Sequence, residues 1–270
     1  MAREDGSNEE KSEDQVTSFH LPKDIRGFCL PFSWSARSGC FHMYRSADRL
    51  IIFDADGTLV DAFSAIGIAF AHHGMDIGDL ERFQKRRNLF KYIGGIKEFP
   101  RNLAKHMGKH VRRELLGTLT EVYREEALLY LGMAELIRDL IDAPGIRVGM
   151  VTRNICHEPE TTLARLFARH DLDIGHLDFM HYLPLREDKT LHFKTVRERL
   201  DINPARAFAC GDEHRDYAAA LATGMHPFIV SYGFESHARL TRKYGIPEEV
   251  ISQDPPAFSS RVRHALDMPP

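Results

Sequence analysis

Short apolar runs recur along the chain, and three of them stop abruptly on a polar residue. Leu50-Ile51-Ile52-Phe53 ends at Asp54, Ile146-Arg147-Val148-Gly149-Met150-Val151 ends at Thr152, and Ala207-Phe208-Ala209-Cys210 ends at Gly211-Asp212. Pro227-Phe228-Ile229-Val230 and the weaker Asp178-Phe179-Met180-His181-Tyr182-Leu183 complete the series. Runs this short and this apolar suit strands covered on both faces, as in a parallel sheet. Helix-period stretches separate them at residues 133–142, 159–170, 190–200 and 214–223. The alternation predicts an α/β fold, a doubly wound sheet with right-handed crossovers. Ligands of such sheets bind outside the carboxyl ends of the strands. Asp54, Thr152 and Asp212 are therefore expected to meet in one crevice.

One connection is out of scale. Between positions 61 and 132 there is only helix-like pattern, far more chain than one crossover helix needs. A helical lid inserted after the first strand explains it, and a length of 270 residues suits one large domain carrying such an insertion. The expected division is an acidic tail at 1–20, an aromatic-rich extension at 21–48, a core at 49–61 and 133–270, and a helical cap at 62–132. The tail holds six acids against two bases with almost no apolar residues, so it is expected to be disordered. The extension carries Phe28, Phe32, Trp34, Phe41 and Tyr44, and reads either as a segment packed on the core or as a contact surface. Within the cap, residues 82–113 hold eleven bases and one acid in a chain of net charge −3. Three readings fit that stretch: attraction of a polyanionic substrate, an acidic or nucleic-acid partner, or a solvated face balanced by Glu114, Glu121, Glu125 and Glu126. Tyr92-Ile93-Gly94-Gly95-Ile96 interrupts the helical pattern there. The pairs His72-His73 and His106/His110 lack a third ligand and are expected at the surface.

Several function classes fall away. The near-zero charge balance gives no global push toward nucleic acid or an anionic membrane. No apolar stretch approaches the ~18 residues of a membrane span. MAREDGSNEEKSEDQ contains no apolar segment and is acidic, so neither a secretory leader nor a transit peptide is expected. The four cysteines, Cys29, Cys40, Cys156 and Cys210, show no CxxC spacing and are too sparse for a disulfide framework, and Cys156-His157 is not ligand-spaced. A reducing cytoplasm is the expected compartment.

The chemistry concentrates in Asp54-Ala55-Asp56-Gly57-Thr58-Leu59-Val60-Asp61. Two carboxylates two positions apart, followed by Gly, place both acids at a sharp turn leaving a strand. Neighbouring carboxylates repel unless a cation or a shared proton intervenes. A hard divalent ion with oxygen ligands, Mg²⁺ above all, resolves that conflict.

IIFDADGTLVD resembles the nucleophile motif of the haloacid dehalogenase-like (HAD) hydrolase superfamily. Thr152 in VGMVTRN resembles the second motif, Lys189 the third, and Gly211-Asp212-Glu213-His214-Arg215-Asp216 the acidic fourth. Ala222-Thr223-Gly224-Met225 and Ser231-Tyr232-Gly233-Phe234 resemble sequences of the phosphoglycolate-phosphatase-like branch. The resemblance implies a Rossmannoid parallel sheet with an inserted α-helical cap, acting on a small phosphorylated metabolite with Mg²⁺. It implies that Asp54 attacks phosphorus to form an aspartyl-phosphate, that Asp56 serves as general acid and then base, and that Thr152 and Lys189 hold the phosphoryl group. Arg153 and Asn154 are expected beside the substrate. The metal set implied is Asp54, Asp56 through its backbone carbonyl, Asp212 and Asp216. Lys189 opens a helix, whereas Lys194 lies about a turn and a half further on and should point elsewhere. The family form has proline after that lysine, where this chain has Thr190. Resembling dehalogenases carry an aromatic residue where Asp56 stands, so the acid favours cleavage of a P–O bond. A phosphomutase of the same fold and a non-catalytic binding module remain alternatives.

Overall fold

Alternation within the first apolar run settles which way the sheet is covered. In β1 (Arg49–Phe53), Leu50 and Ile52 face one side while Ile51 and Phe53 face the other, and all four are buried. The computed structural model describes residues 44–81, 84 and 109–269. The expected acidic tail, nearly all of the aromatic extension, the Tyr92–Ile96 loop and most of the basic stretch lie outside the described residues.

Following β1 come α1 (Ala62–Ala71), α2 (Lys109–Glu125), α3 (Met133–Asp142), β2 (Ile146–Thr152), α4 (Pro159–Ala168) and β3 (Phe179–Tyr182). They are succeeded by α5 (Thr190–Arg199), β4 (Ala207–Gly211), α6 (His214–Ala222), β5 (His226–Val230), β6 (Ile251–Ser252) and α7 (Pro255–Ala265). The strands form one parallel sheet in the order β3-β2-β1-β4-β5-β6. The chain reverses direction across the sheet at β1, between β2 on one side and β4 on the other. That is the switch point at which doubly wound sheets open a crevice.

Two buried clusters cover the two faces. Ile51, Phe53, Val148, Met150, Phe208 and Cys210 pack with residues of α1, α2, α3, α4 and α7, including Ile66, Leu119, Leu136, Leu163 and Phe258. Leu50, Ile52, Val151, Ala207 and Ala209 pack with Phe193 and Val196 of α5 and Ala219 and Ala220 of α6. Burying each large apolar side chain contributes roughly 1.5–3 kcal/mol, so the sheet is rigid where its carboxyl ends present polar groups. Gly149 in β2 is needed for this packing, because a Cβ there would lie 2.1 Å from the Phe179 ring of β3.

Asp61 caps α1 by accepting from Ser64 N at 3.1 Å and Ser64 Oγ at 2.6 Å. The passages out of β1 and back toward α3 run together as an antiparallel pair. Asp61 N donates to Leu128 O at 2.9 Å, and Tyr130 N donates to Leu59 O at 2.8 Å. α1 packs on α2, and α2 also packs on α4. Leu119, Val122 and Tyr123 of α2 belong to the same buried cluster as the sheet residues Ile51 and Phe53. Among the described residues no helix is long and apolar enough to cross a membrane.

The third strand is shorter at both ends than its apolar run. Asp178 turns its side chain back to accept from Val148 N at 2.8 Å and from Arg147 Nη1 at 3.1 Å. α4 likewise stops at Ala168, with Asp171 in the left-handed region three positions on.

Candidate active site

The loop leaving β1 is wound around one carbonyl. The amides of Thr58, Leu59 and Val60 all donate to Ala55 O, at 3.3, 2.9 and 2.9 Å, and Gly57 N donates to Val60 O at 3.0 Å. Gly57 has φ +79°, and a Cβ there would sit 2.2 Å from Asp212 Oδ2. Glycine is thus required twice, for the left-handed backbone and for the approach of a second strand's carboxylate. Gly233 meets the same constraint from the other side, since its Cβ would lie 2.3 Å from Gly57 O.

Asp54 is nearly buried, with Oδ1 accepting from Ala55 N at 2.9 Å and Oδ2 lying 2.7 Å from Lys189 Nζ. That ammonium, at the start of α5, is also 2.8 Å from Asp216 Oδ1. Burial alone would pull the lysine down, but the carboxylates of Asp216 and Asp54 outweigh it and hold the ammonium above its usual value. Lys194 points to solvent and pairs with Glu198 at 4.0 Å. Burial pushes the Asp54 carboxyl up against the pull of Lys189, and burial pushes Asp212 up further.

Asp212 ends β4. Its Oδ2 accepts from Phe234 N at 2.6 Å, while its Oδ1 is buried with no hydrogen-bond partner among the described residues. Asp216 Oδ2 accepts from Glu213 N at 3.1 Å, closing a reciprocal cap on α6. Asp54, Asp212 and Asp216 each offer an oxygen, all within 4.8 Å of one another. Three buried carboxylates and one orphaned oxygen fit a hard divalent cation such as Mg²⁺. Of the three, Asp216 is the most committed elsewhere, and Asp212 has an oxygen to give.

Asp56 is half-buried. Its side chain is held by Tyr123 and Asn154. Tyr123 Oη donates to Oδ1 at 2.9 Å, and Asn154 Nδ2 lies 3.0 Å from Oδ2. Burial and the neighbouring Asp54 charge raise its carboxyl to about 7. Thr152, at the end of β2, is fully buried with its hydroxyl unpartnered among the described residues. Arg153 turns to the acids, with Nη2 2.9 Å from Glu213 Oε2 and 3.6 Å from Asp216 Oδ1.

The sequence reading had no signal for Tyr123, which sits in an ordinary apolar stripe of α2, nor for the Phe234 amide that fixes Asp212. His73 Nε2 bonds Thr118 Oγ1 at 2.8 Å, while His106 lies outside the described residues. The carboxylate trio is the one group of three or more potential metal ligands this close together among the described residues.

A model of the haloacid dehalogenase-like hydrolase family matches residues 49–224. A phosphoglycolate phosphatase of Psychrobacter arcticus is 25% identical over 201 residues, covering 69% of this chain and 84% of that protein. CbbY of Rhodobacter sphaeroides, solved in complex with phosphate, superposes with a TM-score of 0.55 at 20% identity, over 82% of this chain and 100% of its own. A Thermotoga maritima protein proposed as a β-phosphoglucomutase superposes with a TM-score of 0.56 at 17% identity, over 80% of this chain and 99% of its own. The two structural likenesses carry the fold.

Proposed function

The chain belongs to the haloacid dehalogenase-like hydrolases, and from that membership we propose that it is a Mg²⁺-dependent phosphatase that hydrolyses a small phosphate monoester through an aspartyl-phosphate. The observation that carries the proposal is the position of Asp54. Its carboxylate stands at the carboxyl end of the central strand, 2.7 Å from Lys189, with a second acid two residues on that is able to hold a proton near neutrality.

Asp54, Asp212 and the backbone carbonyl of Asp56 would hold the ion, with Asp216 beside them. The bound ion supplies positive charge that offsets the repulsion between an anionic nucleophile and an anionic phosphate. Lys189 keeps Asp54 oriented and neutralises part of the charge on the phosphoryl oxygens. The Thr152 hydroxyl, unpartnered at the crevice floor, donates to one of those oxygens. An Asp54 oxygen forms a bond to phosphorus as the bond to the leaving oxygen breaks, and Asp56 gives that oxygen its proton. Asp56, now ionised, takes a proton from the water that attacks phosphorus, and Asp54 departs as a carboxylate. Arg153 holds Glu213 and Asp216 in place.

The paired passages at 59–61 and 128–130 act, in this reading, as the hinge of a cap at 62–132 over a core at 49–61 and 133–270. Similarity to the phosphoglycolate phosphatase of Psychrobacter arcticus supports a small phosphorylated metabolite as substrate. The buried free thiols Cys156 and Cys210 suit a reducing compartment, the cytoplasm. A non-catalytic module would have no use for a buried lysine bridging two buried acids. Phosphate release from an aryl phosphate tests the proposal: turnover should require Mg²⁺ and vanish in Asp54→Asn. Equal rates in the variant would refute it, and phosphoryl transfer to a sugar phosphate in preference to water would mark a mutase instead.

A further inference from the structure

The carboxyl group of Asp56 is gripped by two donors from outside its own loop. Tyr123, near the end of α2, donates to Oδ1 at 2.9 Å. Asn154, just beyond β2, presents Nδ2 at 3.0 Å from Oδ2 and 3.3 Å from Oδ1. The orientation of that amide is settled by Cys156 N, which donates to Asn154 Oδ1 at 2.7 Å and so turns the NH₂ toward the acid. The Tyr123 ring is 2% exposed and packs in the cluster that contains Phe53, Leu119 and Val122, which fixes where its hydroxyl can go. A buried phenol needs a polar partner, and here the partner is Asp56.

We propose that Tyr123 is a positioning residue that fixes the orientation of the Asp56 carboxyl group toward the leaving oxygen. The inference rests on the acid/base role proposed above for Asp56. With Tyr123 donating into Oδ1 and Asn154 into Oδ2, the carboxyl group is stopped from turning about its last torsion. When the phosphorus–oxygen bond breaks, the electron pair stays with the leaving oxygen and the proton of Asp56 passes to it, while the new bond joins phosphorus to Asp54. Tyr123 keeps its own proton throughout. Because the tyrosine belongs to α2 and the acid to the β1 loop, proton delivery depends on the docking of that helix against the sheet.

The test compares Tyr123→Phe with wild type on two substrates. An alkyl phosphate leaves as an alkoxide and needs the proton, whereas p-nitrophenyl phosphate leaves as a stable phenoxide and needs it little. Phenylalanine keeps the buried ring, so thermal unfolding is read alongside to show that the fold is intact. The expected result is a kcat/KM, which reports the steps up to loss of the leaving group, lowered about 10-fold on the alkyl phosphate against about 2-fold on p-nitrophenyl phosphate. A loss equal on both substrates would mark Tyr123 as structural, and no loss on either would remove it from the mechanism; each overturns the inference. Wild-type protein that cleaves neither ester would refute the proposed function itself, and the inference with it.

Discussion

Removing Lys189 should damage the fold before it damages any chemistry. The ammonium is 3% exposed and lies between two buried carboxylates, 2.7 Å from Asp54 and 2.8 Å from Asp216. Lys189→Met keeps most of the stem and deletes the charge. Asp216 retains Arg153 at 3.6 Å, but the ammonium leaves no equivalent for Asp54. Stripping one partner from a buried ion pair destabilises by about 3–5 kcal/mol, because the remaining charge is uncompensated. The sign of the pH dependence follows. Without the lysine the Asp54 carboxyl rises further above its ordinary 3.8 in the folded state, so stability is retained at low pH and lost as pH rises. Urea unfolding in chelator should therefore show a loss near 3 kcal/mol at pH 7 and a smaller one at pH 5. Asp216→Asn in the Lys189→Met background should restore part of it. A loss under about 1 kcal/mol at pH 7, or a double variant no better than the single one, would refute the reasoning that the lysine neutralises buried charge.

Other outcomes follow from the same geometry. Asp56 titrates near 7 in the fold against 3.8 ordinarily, a raised carboxyl whose contribution is complete at low pH and lost as pH passes 7. In chelator, Asp56→Asn should therefore gain in melting temperature relative to wild type between pH 5 and pH 9, and a growing deficit would contradict this. Mg²⁺ should raise the melting temperature of wild type by mass action, and the increment should shrink sharply in Asp212→Asn, whose orphaned oxygen is lost; an unchanged increment would place the ion elsewhere. Gly149→Ala drives a Cβ into the Phe179 ring away from the crevice, so it should destabilise by about 1–3 kcal/mol while kcat holds.

The core strands were legible because most of their residues are buried on one face of the sheet or the other and so read as short apolar runs, broken in β2 only by the exposed Arg147. β1, β2, β4 and β5 fall within a residue of their predicted bounds. β6 is only Ile251–Ser252, too brief for any periodicity to register. α7 was missed although its signal was present, with Asp254 capping Ala257 N at 2.8 Å and prolines opening the first turn. Asp54, Asp212 and Thr152 could be read because strand ends are local features of the chain. The Tyr123 contact with Asp56 spans two elements whose relative placement depends on how α2 docks, and no local pattern encodes that. The contact between Arg153 and Glu213, 60 positions apart, is likewise encoded by no local pattern.

The account depends most on Asp54 as the group that takes the phosphoryl. Acid-quenched turnover, followed by peptide mass spectrometry, tests it directly. The account predicts one phosphoryl group on the peptide bearing Asp54, removed when excess water-driven turnover is allowed to finish and missing from Asp54→Asn. A phosphoryl group on any other residue, or undiminished hydrolysis by Asp54→Asn, would contradict it.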